Sequence, residues 1–269
     1  MLLSVSHVTR YLYEDAARYT VQSLRMTPPS FAGQTVHSWQ ITAPGIETAT
    51  TFRDAFGNIV HLTSITGEHS EIVCKCEGVV EVEDRAGIVR GLPEAAPVRV
   101  FLRETGKTQP DDAIRALAAE TRGSHTLEGL HKLMHAVRDR MDYEIGVTGP
   151  HTTAAEALAA GRGVCQDHAH VFISAARVLG IPARYVSGYF LVDAKDPSEA
   201  HHAWAEAWID GLGWVGFDPT NRLCPTDRYV RLVTGLDATF AAPVRGTRRG
   251  GLNEALDVLV EVQQANSQQ

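Results

Sequence analysis

Three separated segments carry the residue types needed to move an acyl group through a thiol. They are Gly161-Arg162-Gly163-Val164-Cys165-Gln166-Asp167-His168, then His202-Ala203-Trp204, then Gly216-Phe217-Asp218-Pro219-Thr220-Asn221. Such chemistry needs a nucleophile, a base that takes and returns its proton, and a carboxylate that orients the base. Cys165, His202 and Asp218 supply those types in that order, and only folding can bring them together. Cys165 opens a mostly apolar run that ends at Gly180 and Pro182, so it is expected at the N-terminus of a buried helix. There the free backbone N–H groups and the helix dipole favour a thiolate. The backbone N–H groups of Cys165 and Gln166 are candidate donors to an oxyanion, because the first turn leaves them unpaired.

The elements around these residues follow from periodicity and punctuation. His202 begins Ala203-Trp204-Ala205-Glu206-Ala207-Trp208, which alternates as a strand does, and residues 214–218 form a second strand after the turn Gly211-Leu212-Gly213. Antiparallel pairing of the two would set Asp218 beside His202. His201 competes for the base role; strand neighbours face opposite sides, and spacing alone does not choose between them. Residues 184–192 read as a further strand. Helices are expected over residues 113–121, 126–142 and 153–160, the last capped by Thr152 or Thr153 and ended by Gly161. Tyr143 falls just before the cysteine segment and is a candidate wall of the cleft. Residues 255–262 fit a final strand or a short helix.

Residues 1–105 read as a β-rich domain of short strands separated by turns, arranged as a sandwich or barrel. Residues 105–110 read as a linker, and residues 106–269 as the domain bearing the chemistry. A chain of 269 residues with 44% hydrophobic and 21% charged content suits an ordinary globular protein of one large or two smaller domains. A net charge of −7 argues against a surface built for nucleic acid. Arg245, Arg248 and Arg249 are spaced by glycine and read as a solvated loop. No stretch approaches the apolar length of a membrane span. The start of the chain lacks a charged segment followed by an apolar one, so a cytoplasmic location is expected.

The remaining metal-type residues read as structural. Cys74 and Cys76 flank Lys75 on a strand, and Cys224 reads as a packed loop residue. His131 and His135 are four apart, but no Glu follows His131 as a zinc-protease helix would require. His168, three residues after Cys165, reads as facing solvent, the alternative being a positive charge that favours the thiolate. No metal or other cofactor is expected.

At the three site segments the chain resembles the transglutaminase-like superfamily, of the bacterial type with a β-rich N-terminal region. The resemblance rests on Thr152 to Leu158 with Gly161 to Asp167, on Leu179 to Tyr189, on His202-Ala203-Trp204, and on Gly213 to Asn221. It extends to His7 to Tyr13 and to Arg53-Asp54-Ala55-Phe56-Gly57-Asn58. It implies an α+β, papain-like core in which the cysteine heads a helix packed on an antiparallel sheet. It also selects His202 over His201, because the family's base directly precedes Ala-Trp, and this makes Trp204 a further cleft candidate. The implied activity is a cysteine-dependent hydrolase or acyltransferase acting on peptide or isopeptide amides through a thioester. Hydrolysis is the favoured outcome, with transamidation the alternative when an amine replaces water. A peptide-binding module without turnover is the reading of a different class. The sequence leaves the oligomeric state open.

Overall fold

A computed structural model describes residues 1–122, 126–192 and 200–265. The chain opens with β1 (Leu2–Thr27), β2 (Gln34–Thr42), β3 (Thr50–Arg53), β4 (Ile59–Val82) and β5 (Ile88–Val89). It continues through α1 (Asp112–Ala119), α2 (Thr126–Arg140), β6 (Asp142–Tyr143), α3 (Ala154–Ala160), β7 (Arg162–Gly163) and α4 (Cys165–Val178). It closes with β8 (Ala183–Phe190), β9 (His201–Ile209), β10 (Gly213–Phe217), β11 (Tyr229–Gly235), β12 (Val244–Gly250) and β13 (Glu254–Gln264). Among the described residues no helix is long and apolar enough to cross a membrane.

The first sheet is built on two very long strands rather than many short ones. β1 and β4 pair antiparallel along most of their length, with the register broken between Leu12 and Ala17. Such a break bends the ribbon, and its two halves fold to face each other. The Cys74 thiol of one half reaches the Gln22 side-chain oxygen of the other at 3.5 Å, and the Trp39 indole N–H donates to the Met26 carbonyl at 2.7 Å. Leu24, Met26, Ile72 and Cys76 share the enclosed core. A single curled sheet therefore does the work of the expected sandwich. Burial pushes both the Cys74 and Cys76 thiols up to about 12.

Sheet membership does not follow the expected boundary at residue 105. β12 and β13 return from the far end of the sequence to pair with β1, and β5 leaves the N-terminal segment to pair with β10. The segment of Arg245, Arg248 and Arg249 is thus strand β12 and not a loop; its side chains stay exposed while its backbone completes the sheet. Residues 255–262 lie in strand β13. The expected linker is also pinned. Buried Arg177 donates to the Thr108 hydroxyl at 2.7 Å, and Ser174 donates to the Thr108 carbonyl at 2.8 Å.

The second sheet runs β11-β8-β9-β10-β5, and α4 packs against its β9 and β8 with α1, α2 and α3 around it. From Asp167 to Arg177 every residue of α4 is buried, as its apolar run predicts. Leu3, Val5, Val80 and Val260 of the first sheet join the apolar cluster around α4, so one core links both sheets.

At the centre of the second sheet Glu206 is fully buried between two guanidiniums. Arg184 Nε donates at 2.6 Å and Arg231 Nε at 2.8 Å. Burial alone would raise the Glu206 carboxyl; the charges of Arg231 and Arg184 outweigh it and hold it down at about 2. Arg184 also lies over the Trp214 ring at 3.8 Å. Glu206→Gln would leave Arg231 without this carboxylate and Arg184 with only the more distant Glu94, so we expect a loss of about 3–5 kcal/mol in urea unfolding. An unchanged midpoint would show that the cluster contributes nothing.

Candidate active site

The chain reaches Cys165 by a fixed route. At α3, Thr153 accepts from the Glu156 N–H at 3.2 Å while the Glu156 carboxylate accepts from the Thr153 N–H at 2.9 Å, a reciprocal cap. Gly161 ends α3 at φ 65, a conformation open to glycine. The next two residues pair in parallel with β6, Asp142 beside Arg162 and Tyr143 beside Gly163. Asp167 then clamps the turn, its Oδ2 accepting from the Val164 N–H at 2.9 Å and from the Thr148 hydroxyl at 2.6 Å. A Cβ on Gly163 would stand 2.6 Å from that same oxygen, so the clamp needs glycine there. Cys165 follows as the first, half-buried residue of α4.

His202 lies near the start of β9 and Asp218 directly after β10, and the β9–β10 register brings them together. The His202 Nε2 to Asp218 Oδ2 distance is 2.7 Å. The Cys165 side chain is near enough to act on the same imidazole, which it raises. Asp218 is fully buried and surrounded by donors. Its Oδ2 also accepts from the Tyr229 hydroxyl and the Asn221 amide, each at 2.8 Å, and its Oδ1 accepts from the Thr220 N–H at 3.0 Å. Burial would raise the Asp218 carboxyl, but the charge and hydrogen bond of His202, then Tyr229 and Asn221, hold it low. Burial would likewise lower His202; Asp218 first, and Cys165 after it, reverse this and raise it well above the usual imidazole range.

The neighbouring His201 faces away, with its Nε2 3.0 Å from the Ser187 hydroxyl, and burial pushes it down to about 4. Adjacent histidines are therefore shifted in opposite directions. Trp204 lies nearly parallel to the His202 ring at 6.4 Å between centroids and edge-on to Tyr229 at 5.5 Å. The backbone beneath it is Gly188, where a Cβ would stand 2.6 Å from the indole. Tyr143, Arg138 and Asn221 line a cavity of about 210 Å³ beside His202. Gln166 lines a second cavity, described below.

His168 does not face solvent. It is fully buried, with Nδ1 2.9 Å from the Val164 carbonyl and Nε2 3.1 Å from the Met141 carbonyl. The β6–β7 pair covers this end of α4, which the spacing of the helix alone could not reveal. Sequence reasoning also missed Tyr229, Thr148 and the amide of Asn221 as partners of the site carboxylates. Asn221 stood within a recognised motif; Tyr229 and Thr148 carried no local signal. Among the described residues no group of three His, Cys, Asp or Glu side chains is placed to hold a metal ion.

The opposed shifts of His202 and Asp218 set a pH window. The lowered carboxyl contributes stability above its unfolded value and loses it as pH falls. The raised imidazole contributes fully below about pH 6.5 and loses its share as pH climbs through the raised value. Asp218→Asn is therefore expected to lower stability most near about pH 5 and progressively less toward alkaline pH, measured by urea unfolding across pH. A gap that does not change with pH would contradict the ion pair.

Comparison with known proteins places this geometry in context. Residues 115–219 match the model of the transglutaminase-like superfamily, and residues 3–81 match that of the bacterial transglutaminase-like N-terminal region. The uncharacterized protein ML0607 of Mycobacterium leprae (strain TN) is 31% identical, over 97% of this chain and 98% of its own length. A protein-glutamine gamma-glutamyltransferase of Pseudomonas aeruginosa is 30% identical over 47% of this chain and 20% of its own length. The crystal structure of a candidate cysteine protease from Cytophaga hutchinsonii covers all of this chain and 92% of its own, at a TM-score of 0.76 and 23% identity. The chain belongs to the transglutaminase-like superfamily.

Proposed function

We propose that this protein is a thiol hydrolase that cleaves peptide or isopeptide amides through an acyl-enzyme. One observation carries the reading: a buried imidazole held by a carboxylate at 2.7 Å and also raised by the neighbouring Cys165 side chain. That arrangement favours a thiolate–imidazolium pair at neutral pH. The Cys165 sulfur attacks the amide carbonyl carbon, and the C=O electron pair moves onto oxygen. That oxygen lies toward the N–H groups of Cys165 and Gln166, at the positive end of α4. As the C–N bond breaks, His202 gives its proton to the departing nitrogen and a thioester remains. Neutral His202 then takes a proton from water as the water oxygen attacks the thioester. The C–S bond breaks, the acid leaves, and the thiolate and imidazolium are restored. Asp218 keeps the ring in the required orientation throughout and stays ionised.

Water is the second substrate in this reading, and the cavity of about 210 Å³ at His202 is large enough to admit it. Transamidation uses the same residues with an amine in that place.

Two measurements test the reading. Iodoacetamide should label Cys165 rapidly at about pH 6, read by mass spectrometry, and His202→Ala should slow it by about tenfold or more. Cys74 and Cys76, pushed up to about 12 by burial, and Cys224, at about 11, should stay unlabelled. Equal labelling of all four would favour a binding module without turnover. With 4-nitrophenyl acetate, an acetyl thioester should form on Cys165 and release acetate even when an alkylamine is present. Transfer to the amine in preference to water would replace hydrolysis by transamidation.

A further inference from the structure

A cavity of about 350 Å³ lies between the core and the first sheet. Its core wall includes Gln166, Tyr185 and His201; the facing wall comes from His7 and Thr9 of β1 and from Val258 of β13. The cavity is therefore built jointly from the N-terminal sheet, the C-terminal strand and the segment that follows the nucleophile. Gln166 adjoins Cys165 in the chain. Tyr185 is close enough to the thiol that the charge of Cys165, after burial, helps raise its phenol.

The direction of the reaction assigns the cavity a side. His202 must hand its proton to the departing nitrogen, so the leaving group occupies the cavity that His202 lines. The acyl portion then extends the other way, past Gln166. His201 and His202 alternate along β9 and line different cavities. Cys165 acts on one residue of each, Tyr185 and His202.

The chemistry of the walls defines what fits. Among the described residues the lining contains no Asp, Glu, Lys or Arg. Its two histidines have ring centroids 5.9 Å apart. His7 is held by the Tyr189 hydroxyl at 2.9 Å and the Thr9 hydroxyl at 3.0 Å. Burial, and then each histidine's neighbour, push His7 down to about 3 and His201 to about 4, so both rings are neutral. A charged group placed here would lose water and gain no counter-charge. The volume is at the small end of the range for ligand sites, about 300–1,000 Å³, and suits one side chain with its backbone.

We propose that this shared cavity is the acyl-side specificity pocket, that it accepts an uncharged side chain, and that the N-terminal sheet supplies its selecting wall. The proposal rests on the thiol-hydrolase reading. Its test uses fluoromethyl ketones carrying a leucine, lysine or aspartate side chain beside the ketone. In each, the Cys165 sulfur displaces fluoride to leave a thioether, and the rate is read by mass spectrometry on the full chain. The leucine probe should react about tenfold faster than either charged probe. Val258, 45% exposed on β13, is the lining residue to vary. Val258→Glu should narrow the gap for the lysine probe, and Val258→Lys the gap for the aspartate probe.

Charged probes that match the leucine probe would overturn the proposal. So would Val258 variants that leave every ratio unchanged. In either case, rapid iodoacetamide labelling of wild-type Cys165 at mildly acidic pH would leave the hydrolase reading standing. Slow, ordinary labelling together with inert ketones would overturn both.

Discussion

A carboxylate with no exposure to water must be surrounded by donors, and the need to satisfy Asp218 organises the active region. Its partners come from different places: His202 on β9, Tyr229 on β11, and the turn that follows Asp218 itself. That turn closes when the Asp218 N–H donates to the Leu223 carbonyl at 2.9 Å, with Arg222 at φ 59. Strands β9, β10 and β11 must therefore hold their order and register for the carboxylate to be tolerated at all. Once it is tolerated, its charge faces the imidazole of His202 at 2.7 Å. The charged histidine is a consequence of the sheet.

The same economy of buried charge recurs at Glu206, four residues further along β9. Arg231 of that cluster is also where the first sheet takes hold. The Gln34 amide donates to the Arg231 carbonyl at 2.9 Å, and the Arg231 N–H donates to the Gln34 side-chain oxygen at 2.7 Å. Asn58 repeats this with Thr234, at 2.8 and 2.9 Å. Two side-chain amides thus imitate strand pairing against β11, whose far end carries Tyr229. Within the motif Arg53 to Asn58, Asp54 holds the turn and Asn58 makes this docking contact.

Much of the candidate site's placement was legible because its residues sit in local settings with strong signals. A glycine turn before Cys165, an alternating run after His202 and a tight turn before Asp218 are all short-range features. The helices were legible to within a few residues for the same reason, since caps and apolar spacing are local. What failed was decided by partners that carry no local signal. Glu14, Asp15 and Arg18 interrupt the apolar alternation of β1, which hides a strand of 26 residues. β12 is polar throughout and is a strand only because β1 lies beside it. His168, Arg177, Arg184 and Arg231 are residue types expected at the surface, and their burial depends on acceptors remote in sequence. Tyr229 belongs with them.

The pairing of β1 with β13, Leu3 opposite Gln264, ties the first strand to the last. Contacts of such sequence separation are slow to form, because loop closure precedes any gain from pairing. While a ribosome is still making the middle of the chain, β1 and β4 can already form their hairpin, yet the outer edge of β1 stays unpaired. An unpaired edge invites other chains. The protein is thus most vulnerable to aggregation during synthesis, between the completion of its core sheet and the arrival of its final strands, and chaperone holding in that interval would protect it.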